Sequence, residues 1–385
     1  MPEYLSPGVY VEELSGGGKP IEGVSTSTAG FVGPTRLGPV NQAVGPITSL
    51  AEFERHFGEG AELAHPMPMP NFLWHGARLF FLEGGKRLWV ARVAGDRARA
   101  GPADYERGLA ALGGVDEISI LAAPGASFGG ARDFAPDALA ISQSLVAHVE
   151  GRRNRIAVLD APDGQGVAQM RAWRKHFTSS YAALYYPWIG VVDPRSKRTP
   201  LLPPSGAIAG IYARTDMERG VHEAPANREV RTATMLEAKI TDPQAKALNA
   251  VGVDCLRRVA GRKVVVWGAR TLSADPALKY VNVRRLLIYL EESIRQGVQW
   301  AAFEPNGEAL WASVRRAVQG FLHAAWRNGA LVGRMPQDAF FVRCDRTTMS
   351  QSDVLNGRLV CLVGVAPLRP AEFVIFRIEQ LTANT

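Results

Sequence analysis

Gly125-Ala126-Ser127-Phe128-Gly129 has the G-x-S-x-G spacing of a nucleophile elbow, where a serine on a sharp strand-to-helix turn is activated by a histidine and an acid. Asp160 and His222 follow in the Ser–Asp–His order that such an enzyme could use. The surrounding residues argue against it. An elbow needs a strand running straight into the turn and a helix starting directly after it, yet Pro124 interrupts the entry and Gly130 to Pro136 delay the helix. Asp160 is followed by Ala161-Pro162, an ordinary strand-end turn. A serine hydrolase using Ser127 is therefore the alternative reading, and no catalytic residue is expected. Gly16-Gly17-Gly18-Lys19 is followed by Pro20 in place of Ser or Thr, with no apolar strand before it, so it is not a phosphate loop. The histidines form neither HExxH nor a close i,i+4 pair, and Cys255, Cys344 and Cys361 make no CxxC. No metal, no cofactor and no disulfide framework is expected.

The elements that would position such residues alternate through the middle of the chain. Strands are expected at Ile118–Pro124, Arg155–Asp160 and Ala182–Ile189, and helices at Asp137–Glu150, Val167–His176 and Ser205–Thr215. Strand–helix–strand alternation with helices of this length is the pattern of a parallel sheet with crossover helices. Upstream, Ala29–Pro34 and Arg87–Arg92 read as strands, and Leu50–Phe57 and Asn71–Leu82 as short helices. The last third differs: a strand at Arg262–Gly268, helices at Val283–Gly297 and Asn306–Asn328, then strands at Phe340–Cys344, Arg358–Val365 and Glu372–Leu381. That α+β order places a domain boundary near residue 255.

Composition narrows the class. With 385 residues, 46% hydrophobic and 21% charged, the chain has the make-up of a globular protein of two or three domains, not a disordered one. No stretch approaches the ~18 unbroken apolar residues of a membrane span. Met1-Pro2-Glu3-Tyr4 lacks a basic segment leading into an apolar one, so synthesis in a reducing cytosol is expected. Charge is unevenly spread: residues 256–385 hold 18 Lys or Arg against 10 Asp or Glu, whereas residues 1–255 hold 26 against 27. Such a basic third either faces an acidic partner or is a solvated basic surface. The basic residues form no dense run and no aromatic-flanked motif, so direct nucleic-acid binding is not expected.

The helix expected over Asn306–Asn328 carries the clearest periodicity. At about 100° per residue, Leu310, Trp311, Val314, Ala317, Val318, Phe321, Leu322 and Ala325 share one arc of about 140°. Arg315, Arg316, Gln319, His323 and Arg327 occupy the opposite side. Asn306 is the expected N-cap, and Gly329 stands where a left-handed residue would end the helix. The helix Val283–Gly297, with Arg284, Arg285 and Arg295, could present basic groups in its place.

Both ends read as tethered strands. Val9-Tyr10-Val11-Glu12 alternates apolar and polar residues before the glycine run, and Val374-Ile375-Phe376-Arg377-Ile378 does so after Pro367, Arg369 and Pro370. Strands this short must borrow a sheet, which suits exchange with neighbouring copies.

Tyr4-Leu5-Ser6-Pro7-Gly8-Val9-Tyr10-Val11-Glu12-Glu13 and the run from Ile21 to Pro34 resemble the opening of contractile tail sheath proteins. Phe340–Asp345, Asn356-Gly357-Arg358-Leu359 and Pro370–Phe376 are similar to their end. The likeness is greatest to phage-tail-like contractile injection systems, with tailed-phage sheaths next. It implies an α/β fold: a non-catalytic subtilisin-like α/β sheath domain at 26–254, β-rich to about residue 95, and an α+β C-terminal sheath domain at 255–369. Residues 1–25 and 370–385 would be extended N- and C-terminal strand-exchange arms. The implied function is structural: stacked sixfold (hexameric) rings in a helical assembly around an inner tube, contracting to drive the tube through a target envelope. The implied partners are other copies of the chain, the inner tube protein, and baseplate and tail terminator or cap proteins. No membrane insertion is implied, and the mature location would be a phage tail or phage-tail-like particle.

Overall fold

The computed structural model describes residues 20–63, 69–94, 99–129 and 134–372. Contacts divide them into two compact units, one comprising Val24–Leu290 with residues 367–372, the other Glu291–Ala366 with residues 20–23.

The first unit is built on an eight-stranded sheet. Its strands are β1 (Thr28–Pro34), β2 (Ala43–Ile47), β3 (Arg87–Val93), β4 (Ile120–Ala122), β5 (Ile156–Asp160) and β6 (Ala182–Tyr186), then β10 (Val253–Arg258) and β11 (Val264–Val266). Three short strands intervene and make a separate sheet: β7 (Ile189–Gly190), β8 (Leu201–Leu202) and β9 (Met235–Leu236). The main sheet runs β11-β10-β6-β5-β4-β1-β3-β2, parallel from β10 to β3, with antiparallel β11 and β2 at its edges.

Both faces are covered, as a parallel sheet requires. The strands alternate accordingly: in β5, Ile156 and Val158 belong to one apolar cluster, and Ala157 and Leu159 to the other. Helices α1 (Leu50–Phe57), α2 (Phe72–Leu82) and α6 (Ser205–Arg219) supply Phe53, Leu73 and Ile208 to the first cluster. Helices α3 (Pro102–Gly113), α4 (Ala135–Arg152), α5 (Val167–Arg174) and α7 (Asp242–Ala250) supply Leu109, Ile141, Met170 and Leu248 to the second.

Two expectations change here. The sheet continues through β10 and β11, so the compact unit closes after Leu290 and not near residue 255. The strand expected over Ala182–Ile189 is interrupted: β6 ends at Tyr186, and Ile189 pairs instead with Leu202 and Leu236 in the small sheet.

The second unit holds α9 (Glu308–Arg327), α10 (Pro336–Ala339), β12 (Phe340–Arg343), α11 (Gln351–Leu355) and β13 (Leu362–Val365). Helix α8 (Val281–Gly297) belongs to the first unit up to Leu290 and to the second thereafter. Within the stretch read as the N-terminal arm, Ile21 is 9% exposed and packs where Gly297 lacks a side chain; a Cβ there would lie 2.6 Å from Ile21 Cγ1. Val9–Glu12 and Val374–Ile378 lie outside the described residues.

Candidate functional site

The G-x-S-x-G segment forms tight turns, not an elbow. Ala126 N–H bonds Ala123 O and Phe128 N–H bonds Gly125 O, and the next helix, α4, begins only at Ala135. Ser127 is buried, and its hydroxyl donates to Ala161 O at 3.0 Å, an oxygen that also accepts Trp188 Nε1–H at 2.7 Å. Asp160 serves a structural purpose at the end of β5. Its carboxyl group accepts Ser205 N–H (2.8 Å) and Oγ–H (2.6 Å), which caps the N-terminus of α6. Burial nevertheless raises its pKa to about 7. The carbonyl of His222 accepts a bond from Asn282 at 2.8 Å, and among the described residues no hydrogen bond joins His222 to Ser127 or Asp160. The three residues of the hydrolase alternative are thus engaged separately. No group of three or more His, Cys, Asp or Glu that could hold a metal occurs among the described residues.

The α9 periodicity is realised in packing. Trp311, Val314, Ala317, Val318, Phe321, Leu322 and Ala325 are buried, while Leu310 is half-buried. On the other side Arg316, Gln319, His323 and Arg327 are exposed and Arg315 is half-buried. Arg316 donates to Ser313 Oγ at 3.4 Å, and the His323 ring lies 5.4 Å from that of Trp326.

The helix ends as its residues suggest. Gly329 has φ +79°, Ala330 N–H bonds Ala325 O and Gly329 N–H bonds Trp326 O, a Schellman closure. Its start differs, because the N-cap is Gly307. Asn306 instead accepts Trp311 Nε1–H (2.8 Å) and donates to Val354 O and Arg358 O, so it ties the helix to the turn after α11.

The alternative helix does not offer a comparable strip. Arg284 and Arg285 are buried, with Arg284 at 4.3 Å over the Tyr181 ring and Arg285 bonded to Asp216. Arg295 pairs with Glu292 within its own helix. Sequence periodicity could not separate Arg284 and Arg285 from exposed arginines, because their partners, Tyr181 and Asp216, come from distant parts of the chain.

Strands β12 and β13 form an antiparallel ribbon to which no further strand is added among the described residues. Phe341 and Leu362 on it are 43% and 48% exposed. Strands are expected at Phe340–Cys344 and Arg358–Val365, and β12 and β13 lie within those bounds; their pairing as a separate ribbon is a tertiary matter that residue order does not reveal.

The phage tail sheath protein central domain family matches residues 98–272, and the phage tail sheath C-terminal domain family matches residues 273–380. The chain belongs to the tail sheath family. Sheath proteins are structural proteins and not enzymes. The sheath chain is 27% identical over 266 residues to a prophage major tail sheath protein of Pseudomonas aeruginosa, covering 68% of this chain and 64% of that one. It is 31% identical over 195 residues to the tail sheath protein of Burkholderia phage BcepMu, covering 46% of this chain and 41% of that one. It therefore spans less than two thirds of the length of either relative.

Among solved structures it is similar to a chain of the anti-feeding prophage baseplate (28% identity, TM-score 0.79, covering 99% of this chain and 100% of that one). It is similar also to the sheath of an extracellular contractile injection system in its contracted state (26% identity, TM-score 0.79, 99% of each). Among the described residues, no helix of this sheath chain is long and apolar enough to cross a membrane.

Proposed function

We propose that this chain is the subunit of a contractile sheath that polymerises as stacked sixfold rings around an inner tube and contracts to drive the tube through a target envelope. The observation that carries the reading is the likeness, over nearly the whole chain, to a chain of the anti-feeding prophage baseplate and to the sheath of an extracellular contractile injection system. The first unit would be the subtilisin-like domain without catalytic function. The second would face the tube through Arg315, Arg316, Gln319, His323 and Arg327. The arms containing Val9–Glu12 and Val374–Ile378 would add strands to neighbouring copies. The open-edged β12–β13 ribbon supports that reading, because an isolated two-stranded pair is marginally stable and gains from a third strand.

Contraction needs no nucleotide in this scheme: the extended lattice stores the energy at assembly, and rigid units slide past one another while the arms keep them connected. Partners are other copies of the chain, the tube protein, and baseplate and terminator or cap proteins, without direct nucleic-acid contact or membrane insertion. Synthesis is in a bacterial cytoplasm, and the mature place is a phage tail or phage-tail-like particle. Co-expression with the tube protein followed by sedimentation tests the reading. Co-pelleting of both chains as high-mass polymer is expected; a chain that stays in the supernatant as monomer contradicts it.

A further inference from the structure

We propose that Cys344 and Cys361 are an oxidisable cross-strand pair that closes as a disulfide and staples the β12–β13 ribbon. The register carries the argument. Phe340 opposes Val365, and each step brings the next pair together as far as Arg343 and Leu362, so the following step sets Cys344 opposite Cys361. The Ala366 N–H to Ala339 O bond (2.8 Å) marks that pair as hydrogen-bonded. Alternation then makes Phe341–Gly364 and Arg343–Leu362 hydrogen-bonded pairs, and Cys344–Cys361 a non-hydrogen-bonded one. Residues opposed in that way have Cα atoms about 4.5 Å apart, within the roughly 4.4–6.8 Å that a disulfide spans.

The side chains agree with the register. Cys344 is 1% exposed and belongs to a cluster with Trp311 and Met349, against which the half-buried Cys361 packs. The interaction between the two thiols pushes the Cys344 thiol up and holds that of Cys361 below its ordinary range. Cys361, the more accessible and more readily ionised, is the one that meets a reagent. Its thiolate attacks one sulfur of oxidised glutathione, forming a mixed disulfide and releasing one glutathione thiolate. Cys344 then gives up its proton to water and attacks the Cys361 sulfur, releasing the second glutathione. One glutathione disulfide is reduced to two thiols, and two protein thiols become one disulfide. Cys255 has no such neighbour: it is buried in the first unit, and burial raises its pKa to about 12. Closure would join the ends of the 345–360 connection that carries α11, restricting chiefly the unfolded chain. The proposal does not depend on the assembly described above.

The test uses the full-length, fully reduced chain exposed to oxidised glutathione, followed by thiol titration, non-reducing peptide mapping and thermal unfolding. Two of the three thiols should be lost, the map should yield a Cys344–Cys361 peptide within one chain, and Cys255 should stay reduced. The midpoint of unfolding should rise by several degrees and return on treatment with dithiothreitol. Cys344→Ser and Cys361→Ser should each abolish the shift. The wild-type map decides the matter even if a variant fails to fold. Three thiols still titratable, glutathione retained on Cys361 without closure, or links only between chains would each overturn the proposal.

Discussion

Arg285 grips Asp216 with two hydrogen bonds, Nη1 to Oδ1 at 2.8 Å and Nη2 to Oδ2 at 2.6 Å, while both side chains are 3% exposed. The same guanidinium bonds Thr26 O at 2.8 Å and lies 4.7 Å over the Tyr212 ring. One residue thus joins α8, α6 and the approach to β1. Burial raises the pKa of Asp216 even beside this cation. Removing one partner of such a pair leaves a buried charge uncompensated. Arg285→Ala should therefore cost about 3–5 kcal/mol in chemical denaturation. Arg316→Ala, on the exposed side of α9, should change stability by less than about 0.5 kcal/mol. Equal effects from the two substitutions would contradict this division between structural and surface arginines.

Asp160 makes stability depend on pH with a definite sign. Its pKa is raised from 3.8 to about 7 in the folded chain, so across that window the folded state holds the extra proton. Its stabilising contribution is complete below about pH 4 and is lost as pH rises through about 7. Asp160→Asn removes this dependence. Measured against wild type by urea unfolding, the variant should gain relative stability between pH 4 and pH 8, by roughly 4 kcal/mol at most. His75 and His148, pushed down to about 4 by burial, titrate in both proteins and cancel in the difference. A pH-independent difference would refute the raised carboxyl.

The chain is still held by the first unit two residues past Pro370. Glu372 is held by Arg270 (Nε–H to Oε1, 2.7 Å), Tyr280 (3.1 Å) and Lys279 (3.4 Å). Truncation after Glu372 keeps these contacts and should lower the unfolding midpoint less than truncation after Pro370 does. Truncation after Pro370 should cost on the order of 3 kcal/mol, because Arg270 loses its counter-ion in a site where it is 9% exposed. Neither truncated chain should form tubes in negative-stain images, and normal tubes from either would remove the arm from the assembly scheme.

Much of this organisation was legible in residue order, for stated physical reasons. Periodicity identified the buried side of α9 because its apolar residues recur with the helical repeat, and Gly329 ended it because a left-handed turn favours glycine. The parallel sheet followed from buried apolar runs alternating with helices. The extension of that sheet through β10 did not. Asp254 interrupts the apolar run, and it is tolerated there because its carboxylate accepts Arg270 N–H at 2.9 Å, a partner 16 residues away. Spacing likewise does not distinguish the buried Arg284 and Arg285 from available basic groups. Burial of a charge is decided by tertiary partners such as Asp216, which local spacing does not reveal.

The exposed strip of α9 yields a salt-sensitive expectation. Arg315→Glu combined with Arg316→Glu leaves Trp311, Val314 and Val318 in place, so circular dichroism should match wild type. Co-assembly with the tube protein should fall sharply at low salt. The wild-type interaction should itself weaken as salt rises, since exposed charges are screened over about 8 Å at physiological ionic strength. A double variant that coats tubes as wild type does would place the tube contact elsewhere.

Cryo-electron microscopy of the full-length chain co-assembled with its tube protein tests the central claim most directly. Stacked sixfold rings are expected around a central tube, with density for a strand from a neighbouring subunit beside the β12–β13 ribbon. Particles without rings, or rings in which every ribbon edge is bare, would contradict the account.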